Sequence, residues 1–140
     1  MSVARKHSAE VMVAEGSNDW YTPESILRPT RAIAATPAGL GRIALDPFWG
    51  PGCITAPVVG IDEARDGFSV DWARAVERAV GQPGAAGFVD VFTNPPYSRM
   101  PDFAKKVSRE AARGVEIVAL VKSSTAENWF SDLEIGRAHV

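Results

Sequence analysis

The chain has 140 residues, of which 46% are hydrophobic and 23% are charged, and its formal net charge is −2. This composition is typical of an ordinary soluble globular domain that buries a core of its own. No apolar run approaches the roughly 18 residues that a membrane span needs, and the N-terminus lacks the apolar stretch of a secretory signal. We therefore expect a cytoplasmic protein without a membrane partner.

The cysteine and histidine content excludes two kinds of site. Cys53 is the only cysteine in the sequence, which rules out an internal disulfide and fits a reducing compartment. One cysteine and two widely separated histidines do not supply zinc ligands at any usual spacing. We therefore expect chemistry that needs no metal, and we take Cys53 as structural.

The first part of the chain predicts a tail followed by a helix. Residues 1–17 lack clear periodicity and predict a flexible N-terminal tail. A helix is expected over 24–35, with Thr22 as the N-cap and Pro23 at the first helical position. Pro29 is expected to interrupt this helix, because proline has no amide hydrogen to donate.

The rest of the chain alternates strand patterns with helical patterns. Short apolar runs predict buried strands at 42–45, 88–93 and 115–121. Helical patterns separate or follow them, over 71–80, from 101 or 102 to 113, and from about 126 onward. This alternation predicts an α/β domain with a parallel sheet.

Two of the predicted strands end in unusual sequences. The first ends at Asp46-Pro47-Phe48, and the second ends at Asn94-Pro95-Pro96-Tyr97. Ligands bind beyond the carboxyl ends of the strands in parallel sheets, and both sequences would lie at that edge. The sequence therefore predicts a site there.

The residues of the second sequence suit one kind of chemistry. Two consecutive prolines hold the backbone extended and stiff, which fixes the direction of the Pro95 carbonyl. The Asn94 side-chain carbonyl is a second acceptor. Two rigid acceptors suit a primary amine such as the exocyclic N6 of adenine, and Tyr97 offers a flat face for an extruded base. The simpler alternative is a stiff turn without chemistry.

Several blocks of the sequence, in order, resemble the phage-type, Dam-like DNA N6-adenine methyltransferases. The likeness covers roughly residues 18–133 and is strongest at the catalytic loop. It rests on 19–23 (Asp-Trp-Tyr-Thr-Pro), 45–48 (Leu-Asp-Pro-Phe), 66–68 with 71–72, 93–98 (Thr-Asn-Pro-Pro-Tyr-Ser) and 114–121 with 129–130.

The resemblance implies a Rossmann-like methyltransferase core that uses S-adenosyl-L-methionine (AdoMet) on double-stranded DNA in a bacterial host cell. The catalytic residues it implies are Asn94, Pro95, Pro96 and Tyr97. The cofactor-binding residues it implies are Thr22, Pro23, Asp46, Pro47, Phe48 and Asp71.

Several positions keep two interpretations. Gly50 and Gly52 permit a close approach of the backbone to the cofactor or are simple turn glycines. Asp62 or Glu63 is the nearest candidate for a ribose-binding acid, although acids in a loop are more often solvated. Asp71 contacts the cofactor adenine or caps its helix.

A net basic segment follows the catalytic loop, although the pI of the whole chain is about 5.7. We expect Ser98, Arg99 and Lys105 to contact DNA, since phosphate neutralisation supplies much of the affinity for it. The alternative is a solvated helix face. The basic residues of the segment are Arg99, Lys105, Lys106, Arg109 and Arg113.

The last six residues, 135–140, read Ile-Gly-Arg-Ala-His-Val, which is the translation of a common sequencing adapter. We therefore expect a non-native tail at 135–140 and a partial methyltransferase domain at 18–134. On this hypothesis the strand 115–121 is an exposed edge, and the chain alone is poorly active or insoluble.

The alternatives to adenine methylation are N-methylation of another amine or amide and a non-catalytic DNA-binding remnant. Asn rather than Ser at position 94 favours adenine over cytosine N4.

Overall fold

The computed structural model describes the backbone of residues 2–6, 9–14, 22–122 and 138–139, and the side chains of residues 22–121. These residues form one sheet with the strand order β4-β3-β5-β6-β2-β1-β7. The strands are β1 (Ser2–Lys6), β2 (Ala9–Ala14), β3 (Arg42–Asp46), β4 (Val59–Gly60), β5 (Phe88–Thr93), β6 (Ile117–Lys122) and β7 (Ala138–His139).

Three α-helices connect or precede the strands: α1 (Glu24–Ala32), α2 (Trp72–Val80) and α3 (Met100–Ala112). Two short 3₁₀ helices, Glu63–Arg65 and Tyr97–Arg99, lie in the loops after β4 and β5.

The middle of the sheet is parallel. Strands β4, β3, β5, β6 and β2 run in the same direction, whereas β1 is antiparallel to β2 and β7 is antiparallel to β1. The α/β class and the parallel sheet expected from the sequence are confirmed at this level.

Helices cover both faces of the parallel strands. On one face, Leu27 of α1 packs in a cluster with Phe92 and Val118. On the other face, Trp72 of α2 and Phe103 of α3 share a cluster with the strands. A sheet that is buried on both sides needs apolar residues at almost every position, which explains the apolar runs of β3, β5 and β6.

The expectation of a flexible tail over 1–17 is wrong for the segments that form β1 and β2. Strand β2 pairs with β6 along its whole length, from Ala9↔Ile117 to Ala14↔Lys122. The sequence had led us to expect that β6 is an exposed edge. This expectation is wrong, because β2 covers β6. The physical reason is that β6 has backbone donors and acceptors that need partners, and a β-rich N-terminal segment supplies them.

Ala138 and His139 of β7 pair with Lys6 and Arg5 of β1. The adapter origin expected for 135–140 stays a prediction. The helix expected from about residue 126 lies outside the described residues, as do residues 19–21 and 129–130 of the blocks that carry the resemblance.

Several element boundaries differ from the prediction. Helix α1 ends at Ala32 and is not interrupted at Pro29. Pro29 is tolerated because it and Ser25 are exposed, so that water can reach the Ser25 carbonyl, which loses its amide donor. Pro23, rather than Thr22, occupies the N-cap position. Helix α3 begins at Met100, and β6 begins two residues later than expected.

A buried acid joins α3 to the start of α2. Glu110 Oε2 accepts the Trp72 N–H at 3.0 Å and pairs with Lys106 Nζ at 2.8 Å. Its Oε1 accepts the Ala73 N–H and pairs with Arg113, both at 3.2 Å. Glu110 thereby accepts hydrogen bonds from two amides of the first turn of α2. A capping side chain at the start of the same helix usually accepts such bonds.

Candidate functional site

The strand order places a topological switch point between β3 and β5. From β3 the chain goes outward to β4, returns through α2 to β5 on the other side of β3, and continues to β6. Crevices at such reversals, beyond the carboxyl ends of the strands, are where open parallel sheets bind ligands. The pairing of Leu45 with Val91 shows that Asp46 and Asn94 follow adjacent strands at this edge. The predicted placement of both sequences at the same edge of the sheet is confirmed.

Asp46 ends β3 as a buried acid. Its Oδ1 accepts the Phe48 N–H at 3.1 Å, and its Oδ2 accepts the Thr55 hydroxyl at 2.7 Å. Burial raises its pKa from 3.8 to about 6, although these two hydrogen bonds lower it. Within residues 22–121 no basic side chain pairs with this carboxylate. The site therefore holds a buried acid that receives no positive partner from residues 22–121.

Asn94 follows β5 and is half-buried. Its Nδ2 donates to Thr22 Oγ1 at 3.4 Å, across 72 positions of sequence. Because the oxygen and nitrogen of a carboxamide diverge, this bond turns Oδ1 away from Thr22. The residue before α1 and the residue after β5 thus meet, as the predicted site requires.

The diproline forms the corner between β5 and the following 3₁₀ helix. Pro96 has φ −67° and ψ 112°, an extended conformation, and its carbonyl accepts the Arg99 N–H at 3.0 Å. In the described part of the chain, by contrast, no group donates to the carbonyl of Pro95. Pro95 is buried, and its carbonyl is a backbone acceptor next in sequence to the Asn94 carboxamide.

Tyr97 is half-buried next to these acceptors and packs against the cluster formed by α2, α3 and the strands. Its hydroxyl donates to the Leu120 carbonyl of β6 at 3.4 Å. Burial raises the pKa of Tyr97 above its ordinary value of 10.0, so the phenol stays neutral. The ring is therefore held in place, and the hydroxyl does not supply a base.

The turns after β3 and β4 are packed tightly together. A Cβ at Gly67 would collide with the Pro47 carbonyl oxygen, so only glycine fits there. The Phe48 and Phe68 rings lie with centroids 4.9 Å apart. The sequence analysis gave Gly67 no role of its own, because a close contact between distant turns leaves no local pattern.

The glycines that were assigned two interpretations differ from Gly67. Gly52 has φ 90°, which identifies it as a turn glycine. A Cβ at Gly50 would meet nothing within 4 Å.

Asp71 is the N-cap of α2. Its Oδ1 accepts the Arg74 N–H at 3.0 Å and pairs with Arg113 at 2.7 Å. The hydrogen bond from Arg113, followed by that from the Arg74 amide, lowers the pKa of Asp71. The neighbouring Trp72 ring packs against Phe48 of the predicted site, with ring centroids 6.2 Å apart. The cap is confirmed, and the contact with the cofactor adenine stays a prediction.

The candidates for ribose binding are both exposed after β4. Asp62 Oδ1 accepts the Arg65 N–H at 3.0 Å and so caps a 3₁₀ helix. Glu63 is the first residue of that helix. Their ribose-binding role stays a prediction.

The basic segment is partly used within the protein. Arg99 contacts Asp102 and Phe68, and Lys106 and Arg113 pair with Glu110. Ser98 and Lys105 are exposed. Arg99, Lys106 and Arg113 are thus engaged within the protein, and DNA contact by the segment stays a prediction.

Two hydroxyls at this edge were missed by the sequence analysis. Thr55 binds Asp46 from a loop nine residues further along, a distance at which no sequence motif marks it. Thr93, directly before Asn94, is fully buried, and its hydroxyl has no hydrogen-bond partner in the described residues. The strand end is therefore more polar than its sequence indicated.

Two wider searches add to the description of the site. The described residues contain no group of three or more His, Cys, Asp or Glu side chains placed to hold a metal ion. Over the same residues, every helix is too short or too polar to cross a membrane. In comparisons with protein-family models, with curated proteins and with solved structures, nothing matched the chain.

Proposed function

We propose that the chain contains part of an AdoMet-dependent methyltransferase domain with a Rossmann-like core, acting on the exocyclic N6 of adenine in DNA. One observation carries the proposal. The Asn94-Pro95 acceptors and the buried acid Asp46 end the two strands on either side of the switch point. An amine acceptor and a cation-binding acid at one crevice suit a reaction between an amine and a sulfonium cofactor.

The two acceptors suit an amine with two hydrogens. Thr22 orients the Asn94 carboxamide, and the Pro95 carbonyl has no donor in the described residues. A primary amine that donates one hydrogen to each oxygen is held in a fixed orientation. These bonds draw the lone pair of the amine nitrogen out of conjugation with the ring, so that the nitrogen can attack the methyl carbon. Placing the nitrogen in line with the methyl group is a positioning effect, which can supply a large part of a rate enhancement.

The proton balance of the reaction requires no strong base. When bound, AdoMet supplies an electrophilic methyl group on a sulfonium. Methyl transfer would form the N–C bond as the S–C bond breaks and would leave the sulfur as a neutral thioether, and the nitrogen held by Asn94 and Pro95 would then lose its excess proton to water. The neutral Tyr97 phenol and the Asn94 amide do not compete for that proton.

Asp46 fits a positively charged cofactor. A buried carboxylate without a basic partner is costly to ionise, and a cation beside it offsets that cost. The sulfonium and ammonium groups of AdoMet both carry positive charge. Thr22, Pro23 and the Pro47-Phe48 turn would form the walls near this acid. Binding of the cation is then expected to lower the pKa of Asp46 and to weaken as the pH falls below about 6.

Tyr97 suits the binding of an extruded base. Its hydroxyl is tied to β6, so the ring gives a fixed surface. Stacking of a base on an aromatic ring contributes about 1–3 kcal/mol, which offsets part of the cost of removing the base from the duplex. The exposed Ser98 and Lys105 adjoin this surface in sequence and are suited to phosphate contacts.

The test is methyl transfer from labelled AdoMet to unmethylated DNA, by the product of the uninterrupted open reading frame that encodes these residues. We expect the label in N6-methyladenine after digestion to nucleosides. Asn94→Ala is expected to lower transfer at least about 100-fold, as loss of a transition-state hydrogen-bonding group does, while AdoMet affinity stays near that of the unchanged protein. Glu77→Ala, an exposed change on α2 outside the acceptor pair, serves as the control and should change transfer by less than about threefold.

The same experiment separates the alternatives. Label in cytosine N4 or in a protein amide would show a different amine substrate, and AdoMet binding without DNA would point in the same direction. DNA binding with neither AdoMet binding nor transfer would show a non-catalytic remnant and would overturn the proposal.

A further inference from the structure

Arg99 lies between the diproline corner and the segment after β4. Its N–H donates to the Pro96 carbonyl at 3.0 Å, and its guanidinium carbon lies 3.9 Å from the centroid of the Phe68 ring. Its Nε and Nη2 also donate to Asp102 Oδ2, at 3.3 and 3.2 Å. One residue thereby joins the loop after β5 to the loop after β4.

Phe68 extends this connection to the loop after β3. Its ring packs on Phe48, whose N–H is bonded to Asp46 Oδ1. The neighbouring Gly67 backbone lies against the Pro47 carbonyl, which prevents the two turns from sliding independently. The contacts form a continuous path from the amine-acceptor corner to the buried acid.

We propose that Arg99 is a positioning residue, which fixes the diproline acceptors relative to the cofactor-side turn through its stack on Phe68, rather than a DNA phosphate contact. The inference rests on the proposed methyl transfer. Such transfer needs the nitrogen and the methyl carbon aligned closely, so a small shift between the two loops is costly. The exposed ion pair with Asp102 contributes little by itself but orients the guanidinium over the ring.

The experiment compares Arg99→Ala, Arg99→Lys, Phe68→Leu and the Arg99→Ala/Phe68→Leu double variant. The control is Arg78→Ala, which removes one exposed positive charge from α2. We measure single-turnover methyl transfer at saturating AdoMet and DNA, DNA affinity as a function of salt, and hydrogen exchange of the Phe48 amide.

If Arg99 positions the loop, Arg99→Ala lowers the transfer rate by about 10- to 100-fold. Phe68→Leu has a similar effect, and the double variant loses no more than the stronger single variant because both act through one contact. Arg99→Lys recovers part of the rate, since it keeps a cation over the ring. DNA affinity and its salt dependence match those of Arg78→Ala. The Phe48 amide exchanges several-fold faster in Arg99→Ala, although Phe48 lies in another loop.

A normal transfer rate in Arg99→Ala, together with weaker DNA binding and a salt slope reduced by about 1, would identify a phosphate contact and overturn the inference. Additive losses in the double variant would overturn it as well. Absence of methyl transfer by the unchanged protein would refute the proposed function alone, because the exchange of the Phe48 amide still decides whether Arg99 couples the loops.

Discussion

Asp46 and Glu110 are two buried acids with opposite surroundings. Glu110 is 2% exposed and is bonded to two basic side chains and two backbone amides. Asp46 is 3% exposed and is bonded to one hydroxyl and one amide, without a basic partner in the described residues. The described residues neutralise Glu110 and supply no counterion for Asp46, so Glu110 serves the packing of the helices, whereas Asp46 is the acid that the proposed cofactor would neutralise.

The difference follows from the elements that surround each acid. Glu110 lies within α3, where Lys106 is four residues away and the start of α2 presents unpaired amides. Asp46 lies at the carboxyl edge of the sheet, where loops rather than a second helix surround it. The region around Glu110 is therefore complete by itself, whereas the region around Asp46 suits an added positive charge.

The largest effect expected is the loss of Glu110. Glu110→Ala leaves the buried Lys106 without a carboxylate, although still bonded to the Val70 carbonyl, and removes the acceptors for the Trp72 and Ala73 amides. Breaking one partner of a buried ion pair costs about 3–5 kcal/mol of unfolding free energy. Urea denaturation measures this loss, with Glu77→Ala, an exposed change on α2, as the control. A loss below about 1 kcal/mol, the range of exposed ion pairs, would show that Glu110 does not hold the two helices together.

Asp46→Asn is expected to act in the opposite direction on stability. Asparagine keeps the acceptor for the Phe48 amide and can donate to Thr55, but it removes the buried charge. The rise of the Asp46 pKa from 3.8 to about 6 corresponds to a stability gain of up to about 3 kcal/mol at pH 8 for the neutral side chain. The same change is expected to weaken AdoMet binding. An Asp46→Asn protein that is less stable and binds AdoMet normally would contradict the comparison.

The unchanged protein should report Asp46 through its pH dependence. Because the folded pKa is raised, the stability that Asp46 contributes is fully present below pH 3.8 and is lost as the pH rises through about 6. Lowering the pH from 8 to 5 should therefore add about 1.4 kcal/mol from this group. Subtracting the profile of Asp46→Asn isolates the contribution, since the other titrating groups are common to both proteins. A difference that does not change with pH would show that Asp46 is not buried in the protein in solution.

The two regions also differ in how far the sequence predicted them. Apolar runs and the prolines after strand ends, which are local patterns, predicted the parallel strands and the placement of Asp46 and Asn94 at one edge of the sheet. The bonds of Glu110 were not predicted, because the residue lies within an ordinary charged helix and its partners are 37 and 38 positions away. The segment that forms β2 was also misread, since its role depends on the edge of β6 rather than on its own periodicity.

The smallest effect expected is at Thr55, whose hydroxyl is one of the two groups that favour the ionised form of Asp46. Thr55→Val keeps the shape and removes a hydrogen bond of 2.7 Å, which is worth about 1 kcal/mol. Because this bond lowers the pKa of Asp46, its loss should raise that pKa further and move the pH dependence of stability and of AdoMet binding to higher values. Thr36→Val, an exposed change after α1, is the control. An unchanged midpoint in Thr55→Val, with the expected loss of stability, would show that the hydroxyl supports the loop without lowering the pKa of Asp46.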